Sequence, residues 1–202
     1  ENPYAREIGL CAQLGILSGD GDGQIKADRP VTATQAAKML VAALGYGIYA
    51  ENQGGYPSGY LLQAGQLRLL RGIPAREGDA FTKKDAAAML YNALDVPVLK
   101  LVGISEKEVY EKNKNDTLKT QYLDAKDWYM GKGVVEGNRE TSIAGDMRIK
   151  EGKVVISGEL FAAGGTRAAD YLGYRVEFVA KNPDGADGNQ LVGVVRTMDN
   201  VA

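Results

Sequence analysis

The chain has 202 residues, with 24 lysines and arginines against 26 aspartates and glutamates, one cysteine and no histidine. So even a balance gives no field to gather nucleic acid or anionic lipid, and there is no run of about 18 apolar residues to cross a membrane. Without histidine, and with Cys11 alone, Ser–His and Cys–His nucleophilic chemistry and an internal disulfide framework are excluded within this chain.

Tyr4 to Leu17 reads as a helix with Ile8, Cys11, Leu14 and Leu17 on one face, stopped by Gly19. Ser18-Gly19-Asp20-Gly21-Asp22-Gly23 is a tight loop. Thr32, with Gln35 three residues on, has capping-box spacing and opens a second helix. Its buried stripe is Ala36, Met39, Leu40, Ala43 and Leu44, and Gly45 ends it. A Gly-, Tyr- and Asn-rich connector follows, from Gly47 to Gly59.

The pattern then returns. Val31-Thr32-Ala33-Thr34-Gln35-Ala36-Ala37-Lys38-Met39-Leu40 through Leu44 is matched by Phe81-Thr82-Lys83-Lys84-Asp85-Ala86-Ala87-Ala88-Met89-Leu90 through Leu94. Upstream, Leu14, Ile16, Leu17 and Gly19 match Leu67, Leu69, Leu70 and Gly72, and Cys11 matches Ala64. Each unit is helix, turn, polar loop, Thr-capped helix, with Thr82 and Asp85 forming the second capping box. Met39 and Met89 are expected at equivalent buried positions. Repeated modules of this size more often bind than catalyse.

Asp95-Val96-Pro97 stops the last helix. Lys100 to Lys119 is charged and reads as a solvated turn or a linking hairpin. From Trp128 onward the pattern is β: Gly133–Glu136, Lys153–Ile156, Tyr174–Ala180 and Gln190–Arg196, with Gly-rich turns between. Val176, Phe178 and Ala180 should face one side of a sheet. The fold class expected is α+β: a helical tandem-repeat domain (1–97, units at about 4–46 and 56–96), then a small antiparallel β barrel or sandwich-like domain (98–202) with a charged linker at its start.

Residues Tyr4 to Val96 resemble tandem S-layer homology repeats. Leu14-Gly15-Ile16-Leu17-Ser18-Gly19-Asp20-Gly21-Asp22-Gly23 and Val31-Thr32 through Leu44-Gly45-Tyr46 carry the resemblance. In the second unit it rests on Tyr60, Ala64, Leu67, Leu69, Gly72 and Phe81-Thr82 through Leu94. The resemblance implies a secreted cell-surface module that anchors to a secondary cell-wall polysaccharide, often pyruvylated, in bacteria with Gram-positive-type envelopes. The family opens its second helix with Thr-Arg-Ala-Glu. Here the segments read Thr32-Ala33-Thr34-Gln35 and Thr82-Lys83-Lys84-Asp85, and two units are visible where the family has three.

The candidate glycan-binding residues are Thr82, Lys83, Lys84, Asp85, Thr32 and Tyr60. Lysines at a capped helix N-terminus can meet a carboxylate, although surface lysines are more often simply solvated. Tyr46, Tyr49, Tyr56 and Tyr60 offer rings for sugars or for packing between units. Asp20 and Asp22 suggest a cation loop, but position twelve counted from Asp20 is Val31, so the closing carboxylate is missing and a structural turn is favoured. No catalytic signature and no cofactor motif is present. The expected function is therefore non-catalytic anchoring, with self-association as a further partner interaction. The alternatives are the anchor or accessory region of a larger surface glycan hydrolase, and a component of a structural S-layer lattice.

Overall fold

A computed structural model describes residues 2–19, 24–74, 81–104, 108–143, 145, 148–181 and 189–200, the last three without their side chains. Asp20 and Asp22, the cation candidates, lie outside the described residues. The chain divides into two compact units, Glu1–Gln121 and Tyr122–Ala202.

The first unit contains helices α1 (Ala5–Gln13), α2 (Ala33–Ala43), α3 (Gly47–Asn52), α4 (Ser58–Gln66) and α5 (Lys83–Ala93). Local chemistry sets the starts of α2 and α5. Thr32 Oγ1 accepts from the backbone N–H of Gln35, whose side chain accepts from the N–H of Thr32. Thr82 and Asp85 form the same reciprocal pair. Each box satisfies two amides that the helix itself leaves without a partner.

The helices α1 and α4 end alike. Gly15 (φ 70°) and Arg68 (φ 58°) are both left-handed. Gly15 N–H donates to Ala12 O and Ile16 N–H to Cys11 O, just as Arg68 N–H donates to Gly65 O and Leu69 N–H to Ala64 O. The stop at Gly15 shortens α1 relative to the expected Tyr4–Leu17 helix. The connector is not irregular throughout, because α3 occupies Gly47–Asn52 and buries Ala50.

The core of this unit joins Ala37, Val41, Leu44, Tyr46, Tyr60, Ala64, Leu69, Met89 and Ala93. Met89 is 1% exposed, whereas Met39 is half-buried, so the two methionines are not equivalent in burial. The strands β1 (Pro97–Ile104) and β2 (Glu108–Thr117) form an antiparallel hairpin. Val98 and Leu99 belong to the helical core, and Leu99 N–H donates to Leu44 O at 2.8 Å. A Cβ on Gly45 would lie 2.0 Å from Leu99 O, so the strand seats directly on the end of α2. The hairpin therefore packs with the helices, and the division falls at Gln121/Tyr122, inside α6 (Leu118–Ala125), rather than at the expected residue 97.

The second unit is built on β3 (Trp128–Gly137), β4 (Lys153–Ile156), β5 (Glu159–Ala162), β6 (Tyr174–Lys181) and β7 (Asn189–Asn200). The order is β3-β4-β5-β7-β6, and β6 pairs back to β3 along Trp128↔Lys181 to Val134↔Arg175. The sheet is mixed, not wholly antiparallel as expected, because β5 and β7 run parallel at Phe161↔Asn189. Val176, Phe178 and Ala180 are buried and Arg175 is exposed, the expected alternation. A Cβ on Gly131 would meet Phe178 Cζ at 2.3 Å, so a glycine is required opposite that ring. Trp128 meets Tyr122 edge-on, and Tyr129 meets Phe178 likewise.

Candidate functional site

A cleft of about 430 Å³ lies beside the first helical pair. One wall is the chain between α1 and α2, including Ile16, Ser18, Lys26 and Arg29, and the other is the start of α2, with Thr32, Gln35, Lys38 and Met39. Tyr56, from the connector before α4, closes one side. Among the described lining residues, Lys26, Arg29 and Lys38 are cationic and none is a carboxylate.

Local packing places these groups. Lys38 projects from the second turn of α2, where its Nζ donates to Ser18 Oγ and lies 5.9 Å from the centre of the Tyr56 ring. That contact holds an ammonium over an aromatic face. Tyr56 is 51% exposed and packs its other neighbour, Tyr60, at 6.5 Å between ring centres. Half-buried Met39 supplies part of the apolar lining.

The four connector tyrosines divide into two pairs. Tyr46 and Tyr60 are core residues. Tyr46 donates its hydroxyl to Pro97 O, and Tyr60 donates to Glu51 Oε1, both at 2.9 Å. Burial, then the hydrogen bond to Glu51, pushes the Tyr60 hydroxyl up to about 12. Burial also raises that of Tyr46. At 5% exposure, Tyr60 is part of the core and is not offered to a ligand. Tyr49 and Tyr56 point outward.

The structure separates the expected glycan residues. Thr32 lines the cleft. Thr82, Lys83 and Lys84 are exposed at the start of α5 and are not among the cleft residues. The counterpart loop at 75–80 lies outside the described residues. Asp85 Oδ2 accepts from both the N–H and the hydroxyl of Thr82. The two helix starts consequently differ in charge. At α2 the capping box is neutral and no acidic residue sits in the first turn, whereas at α5 an anion already occupies it. An external anion is attracted to the first by the helix end alone, while at the second Asp85 offsets part of the attraction of Lys83 and Lys84.

Lys26, Arg29 and Tyr56 were not singled out as a set by the sequence. The one available signal was the positive charge on both sides of the Thr32 cap. Among the described residues there is no group of three or more His, Cys, Asp or Glu placed to hold a metal ion. No helix among them is long and apolar enough to cross a membrane.

The chain is similar to two bacterial envelope proteins. It is 27% identical over 175 residues to a "Cell surface protein" of Thermoanaerobacter kivui, covering 84% of this chain and 20% of that protein. It is 31% identical over 120 residues to the "Middle cell wall protein" of Brevibacillus brevis, covering 59% of this chain and 11% of that protein. The chain thus spans a fifth or less of the length of these relatives. No protein-family profile matches it. No solved structure matches it.

Proposed function

We propose that the first unit is a non-catalytic anchoring module of S-layer homology type, acting at the bacterial cell surface on an acidic secondary polysaccharide of the wall. The observation that carries this reading is the cleft, where three cations, one exposed aromatic face and an uncharged helix N-terminus converge on a space sized for a sugar residue or two. The likeness to a cell surface protein and a cell wall protein supports the location. Matching helix ends at Gly15 and Arg68, and matching caps at Thr32 and Thr82, support the repeated unit.

In this reading the carboxylate of an acidic sugar lies against Lys38 and the start of α2, while Tyr56 stacks on a ring. Lys83 and Lys84 act as a secondary, weaker contact. Because the attraction is largely between partly exposed charges, it should weaken as salt is raised.

Co-sedimentation with purified wall sacculi tests the reading. The 202-residue chain should pellet with intact sacculi and stay in solution once the secondary polymer is stripped. Equal pelleting with stripped sacculi would assign the affinity to peptidoglycan and overturn it.

A further inference from the structure

Lys38 is half-buried, and its contacts among the described residues are neutral. Its Nζ donates to the Ser18 hydroxyl and lies 5.9 Å from the centre of the Tyr56 ring. No carboxylate meets it among the described residues. By contrast, Lys100, Lys119 and Lys132 pair with Asp116, Asp95 and Glu177. An ammonium drawn partly out of water loses hydration that a hydroxyl and an aromatic face restore only in part. The N–H bonds that Ser18 does not use are donors for an anion from outside.

A lysine meets its ligand from a long flexible stem, and ordering that stem opposes binding. Here the order is built in beforehand. Ser18 stands on fixed backbone, because Ile16 N–H and Leu17 N–H just before it both donate to Cys11 O. Just after it, a Cβ on Gly19 would lie 2.8 Å from Gln24 O, so the chain folds back closely there. We infer that Ser18 is the positioning residue of the cleft: its hydroxyl holds the Lys38 ammonium over the Tyr56 ring, aimed at a carboxylate of the wall polymer. Ser18 acts through Lys38 and does not touch the polymer. The second unit lacks both members, since Ser18 corresponds to Arg71 and Lys38 to Ala88. This inference rests on the anchoring reading of the cleft and adds how its charge is held.

A double-mutant cycle read by sacculus co-sedimentation of the 202-residue chain tests it. Ser18→Ala should weaken binding to intact sacculi about threefold to tenfold, the loss expected for one hydrogen bond. Every charge is kept in that variant, so the slope of affinity against salt should match the wild type, whereas Lys38→Met should flatten it. Ser18→Thr keeps the hydroxyl and should bind within about twofold of the wild type. In the Lys38→Met background, Ser18→Ala should cause no further loss. Ser18 is exposed, and circular dichroism should show all variants folded. A wild-type chain that pellets equally with stripped sacculi overturns the anchoring reading, and this inference with it. A wild type that needs the polymer, with Ser18→Ala equal to it, overturns this inference alone. Equal losses from Ser18→Ala in both backgrounds would show that Ser18 acts independently of Lys38 and overturn the positioning role, as would a Ser18→Thr variant as weak as Ser18→Ala.

Discussion

The Thr-capped segments Val31–Leu44 and Phe81–Leu94 of the first unit share seven of fourteen residues and end in different surroundings. Beside α2 the apolar stripe turns its Ala37–Val41 side inward, Met39 slides to the border, and Lys38 is left over the Tyr56 ring at the edge of a cleft. In α5 the stripe rotates inward by way of Met89 and Ala93, which leaves Leu90 and Tyr91 outside. The capping boxes differ too, neutral at Gln35 and carboxylate-bearing at Asp85, where Lys83 and Lys84 stand beside it. Neighbours therefore decide which side of a repeated helix is structural and which is available for binding. A shared motif does not imply a shared role.

The largest expected contrast is in the methionines. Met89→Ala opens a cavity in a closed core and should cost about 3 kcal/mol in denaturant unfolding, whereas Met39→Ala, at a cleft margin, should cost about 1 kcal/mol. Equal losses would show that the two sites are equally packed and break the contrast.

A smaller effect is expected at the helix ends. Arg68 holds a left-handed conformation that Gly15 holds at the matching position. Arg68→Gly should relieve that strain and raise the melting temperature, a gain of up to about 1 kcal/mol. Gly15→Ala should lower it by a similar amount. A destabilised Arg68→Gly variant would mean that the arginine side chain contributes more than its backbone costs.

The smallest contrast lies in pH. The folded state holds the Tyr60 proton up to about 12, above the ordinary tyrosine value of 10, so its contribution is fully present below pH 10 and is lost as pH rises from 10 to 12. Unfolding midpoints should fall more steeply across that interval in the wild type than in Tyr60→Phe. Parallel slopes would remove Tyr60 as the cause.

Much of this organisation is local and could be read directly. Both capping boxes depend on residues three apart, and the β6 alternation at Val176, Phe178 and Ala180 depends on residues two apart. What escaped the sequence depends on residues far apart. The buried side of α5 could not be told from that of α2, since both sides carry alanines and large apolar residues. A linking hairpin was one reading of Lys100–Lys119, but the seat of β1 in the core was not legible, because it comes from Val98 and Leu99, ahead of the charged run. The parallel pairing of β5 with β7 joins residues 28 apart, which no turn signal marks. The cleft assembles Lys26 and Arg29 from a loop, Lys38 from a helix and Tyr56 from a connector. On α2 alone, Lys38 is an ordinary solvated lysine. The lysines at 83 and 84 drew attention because they are adjacent and follow a cap, which is a local signal without a cavity behind it.

The most direct test of the anchoring account is a comparison of charge removal in the two pairs by sacculus co-sedimentation. Lys38→Glu with Tyr56→Ala should weaken binding to intact sacculi at least tenfold, the equivalent of about 1.4 kcal/mol. Lys83→Ala with Lys84→Ala should weaken it about twofold or less, with both variants folded by circular dichroism. A large loss in the Lys83/Lys84 variant and none in the Lys38/Tyr56 variant would place the site on the second pair and contradict the cleft.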